Sequence, residues 1–179
     1  MKKVTILLLL LSACFTSQIF AQTSTEGIKW VSITEAERLS NEHPKKILID
    51  IYTDWCGWCK RLDATTYKNP EIVKYINDNY YAVKLNAESK DKIMYGGQEY
   101  SYDPARRINA VSSNFMSPQG GYPTTTFLDE KKQVISMVPG YMAADMMSNV
   151  LRYFAENHYL NTDWNAYLSS LSNSNAPKQ

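Results

Sequence analysis

The sequence predicts an α/β fold in which helices flank a mixed central β-sheet. One observation is the apolar run Ile47–Tyr52, which contains a single acid, Asp50, and is typical of a central strand buried on both faces. The other is the order of the predicted elements: strand, helix, strand, helix, strand, strand and helix. Such an order places helices on both faces of a sheet that combines parallel and antiparallel pairs.

The first predicted elements precede this apolar run. Ile28–Val31 has the composition of a short strand. Thr34 and Glu37 form a capping-box pattern, with Thr at the N-cap and Glu at N3, which predicts a helix to about Asn41. The pair His43-Pro44 ends that helix, because a proline disfavours the helical conformation of the residue before it.

A second helix start follows in the middle of the chain. Asn69-Pro70-Glu71 supplies an N-cap, a proline at N1 and an acid in the first turn, so a helix is predicted to about Asn79. Tyr81–Leu85 is the next strand. Residues 88–121 have the weakest pattern, and Asp103-Pro104 is interpreted there as a helix start. Three apolar side chains would share one face of that helix: Ile108, Val111 and Phe115.

The last third of the chain predicts two strands and a helix. Thr124–Leu128 and Val134–Val138 flank a polar turn. Apolar residues then repeat at helical spacing, at Met142, Met146, Val150 and Phe154, and the two methionines are interpreted as core. We expect one short turn around Trp164–Leu168. The predicted domain spans 28–160, and 161–179 is a C-terminal extension with a flexible tail.

Composition excludes several classes of protein. The chain has 179 residues, with 44% hydrophobic and 21% charged residues, which is ordinary for a globular domain and argues against disorder. Lys and Arg number 19 against 18 Asp and Glu, a net charge of +1. This balance indicates no nucleic-acid partner.

The N-terminus has the pattern of a secretory signal peptide. Lys2 and Lys3 precede the apolar stretch Val4–Leu11, and cleavage is predicted after Ala21, so the signal peptide is 1–21 and a polar lead-in is 22–27. The alternative is a lipoprotein signal with a lipid anchor at Cys14. Cleavage after Ala21 leaves two cysteines, which lie three positions apart. We therefore expect an exported, periplasmic protein.

Those two cysteines carry the clearest chemical signal. Cys56-Gly57-Trp58-Cys59 places a thiol at the start of a predicted helix, where unpaired backbone N–H groups favour the thiolate, and a second thiol one turn later. Disulfide exchange needs an attacking thiolate and a resolving thiol. A zinc pair is the alternative, but zinc needs about four ligands and the two histidines lack ligand spacing. Haem attachment would need His where Lys60 stands. No cofactor or metal is expected.

The chain resembles the thioredoxin family. The residues that carry the resemblance are Ile49–Lys60, Lys84-Leu85-Asn86, Tyr122-Pro123-Thr124 and Gly140, in that order. Within the family it is most similar to an exported branch that includes the C-terminal domain of thiol:disulfide interchange proteins, through Tyr52, Asp54–Cys56, Cys59-Lys60 and Asn69–Glu71. The resemblance implies a three-layer thioredoxin-like fold with a central mixed sheet.

The resemblance also implies roles for residues outside the cysteine pair. Burial should raise the pKa of Asp50, and the family role is to move a proton to or from Cys59; the alternative is a structural acid satisfied by a hydrogen bond or by Lys84. Pro123 is implied to follow a cis bond that faces the cysteines, with the Tyr122 backbone pairing with substrate; the alternative is a proline at a strand edge.

The residues around the cysteines complete the predicted site. Trp55, Gly57 and Trp58, together with Tyr122, are assigned to substrate binding, and the two tryptophans would form an apolar platform for a partner chain. The alternative is packing, which is the stronger interpretation for Trp55.

Two functions of different classes are compatible with these residues. The main hypothesis is an exported thiol–disulfide oxidoreductase, more specifically a protein disulfide reductase in which an exposed Cys56 attacks and Cys59 resolves. Its partners would be disulfide-bearing exported proteins and a membrane thiol-electron donor. The alternatives are a disulfide oxidase or isomerase, and a docking module with little turnover.

Overall fold

The computed structural model describes residues 27–174; residues 1–26, which include the predicted signal peptide and Cys14, and residues 175–179 lie outside the described part. The described residues form five α-helices: α1 Ile33–Glu42, α2 Gly57–Ala64, α3 Pro70–Asn79, α4 Ala144–Ala155 and α5 Trp164–Ser174. They form nine strands: β1 Trp30–Val31, β2 Lys46–Tyr52, β3 Tyr80–Asn86, β4 Ile93–Tyr95, β5 Gln98–Tyr100, β6 Tyr102–Asp103, β7 Ile108–Asn109, β8 Thr124–Leu128 and β9 Val134–Pro139. The α/β class is therefore confirmed.

The central sheet has five strands in the order β1-β3-β2-β8-β9. β1, β3 and β2 are parallel, whereas β8 is antiparallel to both β2 and β9, so the sheet is mixed as predicted. β2 lies at the centre, and Asp50 is opposite Lys84 on one side and Thr125 on the other. This register puts the acid on the same face of the sheet as Lys84.

Two apolar clusters, one on each face of the central sheet, join the sheet to the elements that flank it in a three-layer fold. Alternate β2 residues point to opposite faces, as the period of a strand requires. On one face Leu48 packs with residues of α2, α3 and α4. On the other, Ile47, Ile49 and Ile51 pack with α1 and the segment around Phe115. All four of these β2 side chains are fully buried, which explains why the strand is almost continuously apolar.

The predicted helix at Asp103-Pro104 is wrong. Asp103 Oδ1 instead accepts hydrogen bonds from the N–H groups of Ala105 and Arg106, and Arg107 has φ of 57°, so the chain makes a turn. The turn returns Ile108 to pair with Asp103 in the β6–β7 ladder. A 3-10 helix, Ala110–Asn114, follows and leads to the buried Phe115.

The start of α1 also differs from the expectation. Its N-cap is Ser32, whose side chain accepts from the N–H of Glu35, and not Thr34. The Thr34 hydroxyl donates to the Met94 carbonyl at 2.7 Å, and Glu37 accepts from the Gly96 N–H. Both residues of the predicted capping box therefore bind the β4–β5 hairpin and do not cap α1.

The C-terminal part is more ordered than one short turn. α5 runs from Trp164 to Ser174. Its Trp164 and Tyr167 rings each lie 5.1 Å from the Tyr153 ring of α4. Met142 is buried but precedes α4, whereas Met146 is 44% exposed, so the core assignment is wrong for Met146. Among residues 27–174, no helix combines the length and apolar character needed to cross a membrane.

Candidate active site

The two cysteines form a disulfide at the beginning of α2. Their Cα atoms are 5.3 Å apart. Cys56 is the N-cap of the helix, and its Sγ accepts a hydrogen bond from the Cys59 N–H at 3.0 Å. β2 leads into this turn, and the Cys56 N–H donates to the Thr53 carbonyl at 3.1 Å. Gly57 is the first helical residue and is exposed. The sulfur thus lies at the positive end of the helix dipole.

The cysteine pair is more covered than expected. Cys56 retains 4% of its surface and Cys59 2%, so the expectation of an exposed pair is wrong for this disulfide form. The reason is local: as an N-cap, Cys56 folds its side chain back over the first turn, where Sγ meets the Cys59 N–H. The exposed surface beside the pair belongs to the neighbouring tryptophans.

Trp55 borders the disulfide on one side. It is 66% exposed, so the packing interpretation does not describe it. Its ring meets the Tyr122 ring edge-on at 5.7 Å, and its Nε1–H donates to Glu88 Oε1 at 3.1 Å. Sequence reasoning missed Glu88, because the residue is 33 positions away and nothing local marks it.

Trp58 lies on the helical side of the disulfide. It is 57% exposed, and its ring contacts Tyr141 at 5.5 Å. The Arg61 guanidinium lies 5.6 Å from both rings, within the range of a cation–π contact. Tyr141 and Arg61 were not predicted, although Arg61 stands three positions after Trp58 on α2, a spacing that brings helical side chains together.

Pro123 follows a cis peptide bond from Tyr122, as the resemblance implied. It is buried and immediately precedes β8. Its carbonyl accepts a hydrogen bond from the Gly140 N–H at 2.8 Å. Gly140 has φ of +95°, a conformation that favours glycine. The contact between Tyr122 and Trp55 places this loop beside the cysteine turn.

Asp50 is fully buried in β2, six positions before Cys56. Burial raises its pKa from 3.8 to about 6, even though the Lys84 ammonium opposes the shift. Lys84 Nζ donates to Asp50 Oδ2 at 2.5 Å and also to Asp63 of α2. Asp50 Oδ1 has no hydrogen-bond partner among the described residues. The acid is thus both paired with Lys84 and poised to titrate near neutral pH.

Aromatic rings enclose the ammonium that pairs with Asp50. Lys84 Nζ lies 5.0 to 5.4 Å from the centroids of three rings: Trp30, Tyr52 and Tyr67. Burial lowers the pKa of Lys84, but the two carboxylates outweigh it and raise the pKa overall. Lys84 therefore remains a cation between the two carboxylates. Within residues 27–174, no three His, Cys, Asp or Glu side chains are grouped to hold a metal ion.

A Cys-X-X-Cys pair at a helix N-terminus, beside a cis-proline loop, is typical of thiol–disulfide exchange proteins. The comparisons with known proteins agree. The family described as "Thioredoxin-like domain" matches residues 33–155, which is more than half of the chain. The chain belongs to this family.

Curated relatives include thiol:disulfide interchange proteins. The chain is 27% identical over 135 residues to "Thiol:disulfide interchange protein DsbD" of Haemophilus influenzae (strain PittEE), covering 72% of this chain and 20% of that protein. It is 38% identical over 52 residues to a protein disulfide-isomerase of Schizosaccharomyces pombe, covering 29% and 14% of the two chains. The chain thus spans about a fifth of the length of the interchange protein that it matches.

Solved structures show the same fold. A thioredoxin-fold protein from Helicobacter pylori superposes with a TM-score of 0.54 at 19% identity, over 85% of this chain and 91% of that chain. A putative disulphide-isomerase from Bacteroides thetaiotaomicron gives 0.50 at 23% identity, over 73% and 95%. The thioredoxin-like fold with a mixed central sheet is therefore confirmed.

Proposed function

We propose that this chain is an exported thiol–disulfide oxidoreductase that reduces disulfides in other exported proteins. The observation that carries the proposal is the Cys56–Cys59 disulfide at the N-terminus of α2. A helix N-terminus stabilises a thiolate, and the second sulfur one turn away makes the mixed disulfide easy to resolve. The similarity to interchange proteins supports the same chemistry.

The proposed reaction has two exchange steps. In the reduced protein the Cys56 thiolate attacks one sulfur of the target disulfide; that bond breaks, and the other target sulfur leaves as a thiolate. Cys59 then loses its proton and attacks Cys56 Sγ, which releases the second target sulfur. The target gains two electrons and two protons, one proton from Cys59 and one from solvent, and the protein ends with the Cys56–Cys59 disulfide.

We assign Asp50 the transfer of the proton that Cys59 must lose. A general base works best when its pKa lies near the working pH, and burial brings the pKa of Asp50 to about 6. The backbone of Tyr122, before the cis bond to Pro123, is assigned to pairing with an extended target segment. Trp55 and Trp58, with Gly57 between the cysteines, form the exposed surface that the target meets.

The proposed reductase would work outside the cytoplasm and would need a source of electrons there. Residues 1–21 are proposed as a signal peptide that delivers the chain to the periplasm. There the oxidised protein would be reduced by a membrane thiol-electron donor, which returns two electrons and opens the Cys56–Cys59 bond. A secreted sample with an identified N-terminus tests the cleavage site after Ala21.

Insulin reduction driven by dithiothreitol tests the proposed activity. The wild-type protein is expected to accelerate insulin precipitation, and Cys56→Ser is expected to remove the acceleration completely. Cys59→Ala is expected to accumulate mixed disulfides with target proteins on Cys56. Unchanged activity in Cys56→Ser would contradict the mechanism. Capture of one partner that survives loss of both cysteines would favour the docking module instead.

A redox titration tests the direction of electron flow. Thioredoxin has a standard potential of about −270 mV, whereas a strong oxidant of this chemistry lies near −120 mV. We expect the Cys56–Cys59 couple to lie toward the reducing end. A potential near the oxidising end would replace the reductase assignment by that of an oxidase.

A further inference from the structure

Residues 88–121, between β3 and β8, contact the exposed rim of the cysteine turn at both of their ends. At the start, Glu88 Oε1 accepts the Trp55 Nε1–H at 3.1 Å. At the end, the Tyr122 hydroxyl donates to Met116 Sδ at 3.7 Å, and Tyr122 itself meets Trp55 edge-on. The Trp55–Tyr122 pair is therefore held by this segment from two directions.

The segment is well anchored at its start, so it can hold a side chain in place. The Ala87 N–H donates to the Tyr52 carbonyl at 2.8 Å, and the Asn109 N–H donates to the Ala87 carbonyl at 2.7 Å. The buried Asn109 side chain donates to the carbonyls of Ser89 and Asp91. Glu88 thus projects from a fixed piece of backbone.

The same region gives one side of the disulfide a negative charge. Asp54, two positions before Cys56, is exposed, and its Oδ2 accepts from Asn86 Nδ2 at 3.3 Å. Asn86 Oδ1 in turn accepts the Glu88 N–H at 2.9 Å. Asp54 and Glu88 are therefore tied to the same asparagine.

The other side of the disulfide is positive. The exposed Lys60 and Arg61 follow Cys59 on α2, and Arg61 lies over the Trp58 and Tyr141 rings. An extended target segment that crosses the cysteine turn would therefore meet an acidic side at Trp55 and a basic side at Trp58.

We propose that Glu88 is a specificity-determining residue: it orients Trp55 and, with Asp54, selects target segments that carry Lys or Arg on one side of the reacting cysteine. This inference rests on the proposed disulfide reductase function. The indole N–H bond to a carboxylate fixes the ring toward Tyr122, and a basic side chain of the target would neutralise the acidic side.

Three disulfide peptides test the charge preference: one with Lys two positions before the cysteine, one with Lys two positions after it, and one with Gln at both. Single-turnover rate constants are measured with the reduced protein. One Lys peptide is expected to react about three- to fivefold faster than the Gln peptide, because the attraction between two exposed charges changes a rate by about this factor. The advantage should shrink at high salt.

Substitutions separate charge from orientation. Glu88→Gln keeps an oxygen for the Trp55 N–H but removes one of the two charges, so it should at least halve the Lys preference, and Glu88→Gln combined with Asp54→Asn should remove it. Glu88→Ala should in addition slow all three peptides and alter Trp55 fluorescence. Glu99→Gln is the matched control, because Glu99 lies on β5 of the same segment and pairs with Lys92. Hydroxyethyl disulfide, which is small and neutral, should react equally with the wild-type protein and with Glu99→Gln.

Two results would overturn the inference. One is equal rates for the three peptides with the wild-type protein; the other is a Lys preference of unchanged size in Glu88→Gln. In either case, continued reduction of hydroxyethyl disulfide would leave the proposed reductase function intact. Failure of the wild-type protein to reduce any disulfide would refute that function, and with it this inference.

Discussion

Asp50 and Lys84 lie opposite each other on β2 and β3, and Lys84 Nζ donates to Asp50 Oδ2 at 2.5 Å. Despite this cation, the pKa of Asp50 is raised to about 6, because the carboxyl is fully buried and loses its hydration. Burial thus outweighs the ion pair. The balance makes Asp50 costly to ionise, and a pKa near neutral suits the proton transfer proposed for it.

Asp50→Asn is expected to stabilise the oxidised protein at pH 8. Because the pKa of Asp50 is about 6 when folded and 3.8 ordinarily, the folded state binds its proton more tightly. Ionisation therefore lowers stability as the pH rises from about 4 through 6. Removing the carboxylate should raise the free energy of unfolding by about 1–3 kcal/mol at pH 8.

Urea unfolding at pH 8 and pH 4 measures this effect. The gain should largely disappear at pH 4, where Asp50 is protonated in the folded protein. Asp78→Asn serves as the control, since Asp78 is an exposed acid on α3 that pairs with Lys74. A loss of stability in Asp50→Asn at pH 8 would show that the Lys84 ion pair outweighs burial.

Asp63, which lies on α2, also affects the pKa of Asp50. It accepts a hydrogen bond from Lys84 and its negative charge raises the pKa of Asp50. Asp63→Asn is expected to lower the pKa of Asp50, because the charge disappears and Lys84 interacts more fully with Asp50. Lys84→Met is the opposite control and should raise it. Carboxyl-carbon NMR titration measures both shifts; the same direction in the two variants would refute the arrangement.

Lys46 is a buried cation, and removing the charge of its partner Glu130 should lower the free energy of unfolding. Its side chain is 3% exposed at the start of β2, and Nζ lies 2.6 Å from Glu130 Oε1. Glu130→Gln should lower the free energy of unfolding by about 1 kcal/mol, a modest loss because Glu130 is itself partly exposed. Glu42→Gln, which affects the exposed pair with Arg38, should change it by less than about 0.5 kcal/mol.

α5 should contribute to the stability of the domain. Tyr167 is buried and its ring contacts Tyr153 and His158. Tyr167→Ala is expected to cost about 2–4 kcal/mol by thermal or urea unfolding, because it removes a large buried ring. Ser169→Ala on the exposed side of the helix should cost little. Equal, small effects would mean that α5 does not support the core.

The sequence predicted correctly those elements whose structure depends on residues close together in the chain. The cap of α3 is one case: Asn69 Oδ1 accepts from Glu71 and Ile72, as the Asn-Pro-Glu pattern indicated. The buried strand β2 is another, because its apolar run follows directly from burial on both faces. The cysteine pair and Asp50 were found in the same way, within one strand and the turn that follows it.

Long-range contacts account for what the sequence did not reveal. The cap of α1 lies at Ser32 and not at the predicted Thr34, whose hydroxyl donates instead to the Met94 carbonyl, 60 positions away. Glu88 reaches Trp55 across 33 positions for a similar reason. The Asp103 turn was misread because Asp before Pro caps a turn and a helix start equally well.

Cys56 is proposed as the attacking sulfur and Cys59 as the resolving one. Competitive alkylation of the fully reduced protein at pH 7 with limiting iodoacetamide distinguishes the two roles, with each cysteine quantified by mass spectrometry. Cys56 is expected to be modified at least about tenfold faster than Cys59, because Cys56 is the N-cap of α2 whereas Cys59 lies inside its first turn. Equal labelling of the two cysteines, or faster labelling of Cys59, would show that Cys56 is not the attacking sulfur.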